Sequence, residues 1–130
     1  MENRLEHNSL NTRGELIHWW EARRSHFNGL VLAVGFASLI LVMCAGSAAV
    51  KPGVDFVEPL VILPGTAIYL AMANVCYTLG WVVDTAFYNG RPRTRLYKSG
   101  LIFAVVLTAL PGVWAVIAWL TTVYTGQKLD

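Results

Sequence analysis

Residues 29 to 50 read G-L-V-L-A-V-G-F-A-S-L-I-L-V-M-C-A-G-S-A-A-V and contain no Asp, Glu, Lys, Arg or His. About 20 residues of α-helix cross the hydrocarbon core of a bilayer, so this stretch is long enough to span it. Two further stretches of the same character follow, residues 59 to 83 and 100 to 123. Strands of a membrane β-barrel would be about ten residues long and would alternate apolar with polar, which none of the three does. Across the chain 55% of residues are apolar and 14% are charged, whereas a soluble domain carries roughly 25% charged residues. The sequence predicts an all-α integral membrane protein. It forms a single membrane domain, residues 1–130, built as a three-helix transmembrane bundle with an N-terminal amphipathic interfacial helix inside the segment 1–27.

Cationic flanks resist translocation and stay on the cytoplasmic side. Arg4, Arg13, Arg23 and Arg24 precede the first span, Lys51 lies between the first and second, Arg91, Arg93, Arg95 and Lys98 lie between the second and third, and Lys128 follows the third. This alternation predicts a cytoplasmic N-terminus and an external C-terminus. Trp19, Trp20, Trp81, Tyr88 and Tyr97 fall near the inner interface, and Trp119 and Tyr124 near the outer one, as an aromatic belt requires. Residues 1 to 50 run from charged to apolar to small, but the leading region carries four glutamates and the apolar run is too long for a cleaved signal peptide. Met43 stands where a lipoprotein cleavage box wants a small residue, and the same glutamates argue against an organelle transit peptide.

Thr12 and Glu15 form an S/T-x-x-E capping box, which predicts a helix start. Leu16, Trp19, Trp20, Arg23 and Phe27 then share one face, suited to the headgroup layer. This segment forms either a separate interfacial helix, with Asn28 and Gly29 as the bend, or the inner extension of the first span. Asn89, Gly90 and Pro92 mark a turn in the inner loop, and Pro52 and Gly53 mark another outside.

Helices associate in lipid where small residues let backbones approach. Gly29, Ala33 and Ala37 form such a stripe on the first span, and Gly100, Ala104, Thr108 and Gly112 form one on the third. Both spans run in the same direction, so a right-handed crossing of these two stripes is expected, or the same stripes serve contacts between copies. Pro111 removes a backbone donor and frees the carbonyl of Leu107, with a kink expected and Thr108 well placed to satisfy freed groups. Pro64 sits in the first turns of the second span, where proline costs less.

In the second span Asn74, Tyr77, Thr78 and Trp81 recur at three- and four-residue spacing, and Asp84 continues the row. An amide near mid-membrane is costly against lipid, so this face is expected to point into protein. The simplest reading is an interhelical hydrogen bond; the functional one is a small-ligand pocket or a polar step in a permeation path. Asp84 is expected to pair with Arg23 or Arg24, forming with Asn28 an interfacial clamp between the N-terminal segment and the second span.

The sequence offers little chemistry beyond this. The basic residues cluster at span ends, not as a patch with interleaved aromatics, so nucleic acid is a poor partner. His7, His18 and His26 all precede the first span, leaving no intramembrane haem ligand, and the His18/Glu21 pair reads as a solvated face. No C-x-x-C, H-E-x-x-H, P-loop or G-x-S-x-G pattern occurs, so neither a catalytic nor a metal site is expected, and no cofactor. Cys44 and Cys76 differ in depth by roughly 12 Å, too far for a disulfide, and read as small buried apolar residues.

Residues Trp19 to Asn28 (W-W-E-A-R-R-S-H-F-N) and Asn74 to Trp81 (N-V-C-Y-T-L-G-W) together resemble small bacterial inner-membrane proteins of unknown function. These carry W-E-x-R-R-x-x-x-N before the first span and N-x-C-Y-x-x-G in the second. The resemblance implies a bacterial inner membrane and one site formed by the two segments, and brings no activity with it. The resulting expectation is a non-enzymatic membrane protein acting through assembly with itself or with other membrane subunits in the lipid bilayer. An oligomeric transporter or channel with the Asn74 face lining its path is the alternative, and a quinone-handling enzyme using Tyr77 and Asp84 a third reading.

Overall fold

The computed structural model describes residues 13–87 and 93–129, and these form three helices long and apolar enough to cross a membrane. Helix α1 spans Arg13–Leu41 and continues through a π-helical turn, Val42–Gly46, and a last α-turn, Ser47–Ala49. Helix α2 spans Pro59–Ala86 and α3 spans Thr94–Thr125. Thr12, Tyr88 and the turn expected at Asn89 to Pro92 lie outside the described residues. Of the two forms open for the segment before the first span, the chain adopts the extension: Asn28 and Gly29 lie within the uninterrupted α1 helix.

The contact face of α1 follows an 11-residue repeat. Leu16, Phe27 and Ser38 form one row of buried residues, and Trp20, Val31 and Val42 form the other. Eleven residues in three turns is 3.67 per turn, a period that favours right-handed winding of the buried seam. This seam lies against the parallel helix α3, whose buried positions include Ala104, Thr108, Gly112, Ala115, Ala118 and Thr122. Within this contact Gly112 N–H donates to Ser38 Oγ at 2.8 Å. A Cβ on Gly112 would lie 2.9 Å from Ser38 Cα, so only glycine fits there. Helix α3 runs unbroken through Pro111.

The small-residue stripe expected on the first span is therefore corrected. Gly29, Ala33 and Ala37 are exposed, and a Cβ on Gly29 would meet nothing within 4 Å. Gly100 is likewise exposed, whereas Ala104, Thr108 and Gly112 are buried. The reason is that α1 carries small residues on two faces. The large side chains of Leu16, Trp20 and Phe27 at its N-terminal end continue only the face bearing Gly35 and Ser38.

The ends of α1 and α3 are tied by the backbone. Leu129 N–H donates to Ala49 O at 3.0 Å, and Lys51 N–H donates to Leu129 O at 3.1 Å. This short parallel pairing takes up groups that the end of a helix otherwise leaves unpaired. In the loop leading from α1 to α2, Lys51, Pro52, Gly53 and Val54 make a turn closed by Val54 N–H to Lys51 O at 3.1 Å, with Gly53 at φ 86°. Proline second and a positive-φ glycine third is the type II arrangement. The loop then returns Phe56 to α1, where its ring lies 2.6 Å from the position a Cβ on Gly46 would take. The π-helical turn thus coincides with the place where α1 admits an aromatic ring.

Helix α2 is the least embedded. Of its most apolar window 6% is buried, against 22% for α1 and 28% for α3. Its first half carries Leu60 at 83% and Leu63 at 81% exposure, while Tyr77 and Asp84 near its other end are buried. Two lateral cavities of about 490 and 690 Å³ flank it, one lined by Leu32, Gly35 and Leu70 and the other by Ala73, Cys76 and Phe103.

Candidate functional site

The polar residues of α2 come together with the aromatic end of α1 because the two helices run antiparallel in one register. Asn74 Nδ2 donates to Asn28 Oδ1 at 3.1 Å and Arg24 Nη2 donates to Thr78 Oγ1 at 3.3 Å. One further turn back along α1, and six residues further along α2, Trp20 comes against Asp84. There Trp20 Nε1 donates to Asp84 Oδ2 at 2.9 Å.

Asp84 is 1% exposed. Besides the indole it accepts Arg93 N–H at 3.1 Å, and the Arg93 side chain closes to 3.7 Å. A buried carboxylate is tolerated only when paired and hydrogen-bonded, and here one charge and two N–H groups provide that. The expected pairing of Asp84 with Arg23 or Arg24 is therefore corrected. Arg23 Nη1 donates to Trp19 O at 3.0 Å and its guanidinium lies 3.8 Å above the Trp19 ring. Arg24 pairs with Glu21 at 2.7 Å and reaches Thr78. The antiparallel register places Asp84 one turn beyond Arg24, opposite Trp20, and the long indole fills the distance. The clamp thus ties α1 to α2 and to the start of α3, with Trp20 and Arg93 as its donors.

Trp20 is held at a second point, since the Tyr77 hydroxyl donates to its carbonyl. The Trp20 ring meets Tyr77, Tyr97 and Trp19 edge-on, with centroids 5.4, 5.7 and 5.6 Å away. Such contacts add roughly 0.5 to 1.5 kcal/mol each beyond area burial. Gly80 offers no side chain to obstruct the indole, whose Cη2 lies 3.5 Å from where its Cβ would be. His26 Nδ1 lies 3.2 Å from the Tyr97 hydroxyl.

The amide of Asn74 also donates to Leu70 O at 3.0 Å, and Thr78 Oγ1 donates to Asn74 O at 2.9 Å. The row Asn74, Tyr77, Thr78 is thus bonded inside one copy of the chain. Arg24 Nε and Trp81 Nε1 stand apart, buried without a partner among the described residues.

Sequence reasoning passed over Tyr69. Its hydroxyl lies 2.6 Å from Thr108 Oγ1 and 3.1 Å from Ala104 O, joining α2 to α3 at mid-span. Thr108 itself donates to Ala104 O at 2.6 Å. Tyr69 stands eight residues before Tyr77 on the same four-residue row, but apolar Ala73 falls between them, so the polar row reads from the sequence as beginning at Asn74. Ser38 and Arg93 were missed likewise, the first because one serine in an apolar helix signals nothing alone. Cys44 and Cys76 are free and exposed, not buried as expected. Among the described residues no three His, Cys, Asp or Glu side chains gather where they could hold a metal ion.

The fold and this node define a multi-pass membrane protein whose first two spans are locked at one end by a tryptophan, a tyrosine and a buried aspartate. No protein-family model, curated protein or solved structure significantly matches the chain.

Proposed function

We propose that this protein is a non-enzymatic component of a bacterial inner membrane that works by assembling, as a homo-oligomer or as an accessory subunit of a larger complex. In this reading its N-terminus is cytoplasmic and its C-terminus external, as the Lys and Arg alternation favours. One observation carries the proposal: only 6% of the most apolar window of α2 is buried within the chain, although the opposite end of that helix is firmly clamped. A helix fixed at one end and left open along its outer half offers a surface for another helix, since packing and small-residue contact drive association in lipid.

The transport alternative needs the Asn74 face to line a path between copies. Asn74 is bonded to Asn28 and Leu70 within one copy, which favours assembly. The deciding experiment is the native mass of protein extracted gently from its own membrane, with co-purifying chains identified. A species at an integer multiple of 14.3 kDa supports the homo-oligomer. Stoichiometric unrelated chains support the accessory subunit. A single 14.3 kDa species without partners overturns both.

A further inference from the structure

Two buried N–H groups on the α1–α2 seam, Arg24 Nε and Trp81 Nε1, have no acceptor among the described residues. Most buried polar groups in folded proteins are paired, so each exception calls for a partner. The two are neighbours in the register. The Arg24 head reaches Thr78, and Trp81 follows Thr78 by three residues, which is one turn on the same face. Both belong to the end of the bundle where Trp19, Trp20 and Tyr97 gather, the arrangement of a headgroup-level belt.

We infer that Arg24 and Trp81 hold the phosphate of an anionic phospholipid in the leaflet at this end of the bundle. A phosphate presents several acceptor oxygens to N–H donors arriving from α1 and from α2, and arginine matches it in geometry as well as charge. Thr78 keeps the guanidinium over the seam, and the Tyr77 ring lies 5.2 Å beneath it. The charge around the seam favours an anion: among the described residues this end carries Arg13, Arg23, Arg24, Arg93, Arg95 and Lys98 against Glu15, Glu21 and Asp84.

Binding displaces the Arg24 to Glu21 pair, whose side chains are 30% and 42% exposed and which is therefore weakly held. An acyl chain of the same lipid has a seat further along the seam. The cavity beside α2 begins at Val31 and Leu70, seven residues or about 10 Å beyond Arg24 at 1.5 Å per residue. That lies within one leaflet's depth, half of a core about 30 Å thick.

The test uses the purified, delipidated full chain in detergent, titrated with phosphatidylglycerol or phosphatidylcholine. Native mass spectrometry reads bound lipid, and thermal unfolding reads the stabilisation. Wild type retains one phosphatidylglycerol per chain in preference to phosphatidylcholine. Arg24→Gln weakens this retention about tenfold, the scale of one charge-assisted hydrogen bond. Arg24→Lys keeps the charge but removes Nε, and Trp81→Phe removes only the indole N–H; both lose several-fold and show a smaller lipid-induced rise in Tm. Arg95→Gln serves as the control for general charge and leaves the preference intact.

Equal retention of the two lipids, or retention unchanged in Arg24→Lys and Trp81→Phe, overturns the site. If millimolar inorganic phosphate displaces phosphatidylglycerol and gives the same Tm rise, the lipid assignment is overturned in favour of a soluble anion. Should Arg24→Gln fail to fold, the lysine and phenylalanine variants decide.

Discussion

Trp20 and Asp84 are 64 residues apart in the chain and 2.9 Å apart in space, indole nitrogen to carboxylate oxygen. This bond, with the Tyr77 hydroxyl on the Trp20 carbonyl, makes the aromatic end of α1 part of the bundle. Trp20→Phe keeps most of the ring packing and removes one of Asp84's donors. It is expected to lower stability by about 1 to 3 kcal/mol, the cost of leaving a buried polar group short of a partner. Asp84→Leu removes the acceptor for Trp20 and Arg93 together and falls at the upper end of that range or beyond. Thermal unfolding in detergent reads both, and an unchanged Tm in Trp20→Phe would show that the bond contributes nothing.

Asp84→Asn keeps an acceptor and a similar shape but removes the charge that draws in Arg93. The expected result is a modest loss of stability with faster tryptic cleavage at Arg13 and Arg23, because the end of α1 is then held less firmly. Equal cleavage rates in the variant and wild type would count against the clamp.

Gly112→Ala sets a methyl group 2.9 Å from the backbone of Ser38. Overpacking of this kind costs roughly 1 to 3 kcal/mol, and here the obstacle is a helix axis, not the tip of a flexible side chain. Ser38→Ala leaves room but removes the acceptor for Gly112 N–H. The two variants act on one contact, so their effects should not add. Unfolding of both singles and the double variant measures the coupling.

Asn74→Leu removes the amide bond to Asn28 between the first two spans. Interhelical hydrogen bonds in membranes contribute about 0.6 to 2 kcal/mol, and a destabilisation of that size with no change in vesicle leakage is expected. A double-mutant cycle with Asn28→Ala isolates the pair. Leakage or uptake in reconstituted wild-type vesicles that disappears in Asn74→Leu would instead support the transport reading.

Orientation is read with cysteines placed at Lys51 and Ser99 in a background lacking Cys44 and Cys76. The expected outcome in right-side-out membranes is labelling of the position 51 thiol by an impermeant maleimide, with the position 99 thiol labelled only after permeabilisation. The reverse pattern would overturn the proposed orientation.

Much of the architecture was legible because it depends on run length and composition. Three apolar stretches of spanning length become three helices whatever they pack against, since in lipid every backbone polar group must be satisfied within the segment. The polar row in the second span was legible for a related reason, as Asn74, Tyr77 and Thr78 share a face by spacing alone. Their partners were not legible. Which arginine or tryptophan meets Asp84 depends on the antiparallel register of α1 on α2, and a slip of one turn would have placed Arg24 there.

The choice between the two small faces of α1 shows the same division. Spacing put Gly29, Ala33 and Ala37 in a row, yet Val31, Gly35 and Ser38 meet α3. That choice belongs to an 11-residue pattern reaching back to Leu16, and to one hydroxyl meeting one backbone N–H. Tyr69 on Thr108, Phe56 against Gly46 and Leu129 beside Ala49 and Lys51 are likewise pairings between distant parts of the chain. The sequence by itself determined that the chain crosses a membrane three times and which residues are too polar to face lipid, because those follow from transfer energies summed along local segments. Only the tertiary structure decided which polar group satisfies which, because pairing is set by the relative rotation and register of whole helices.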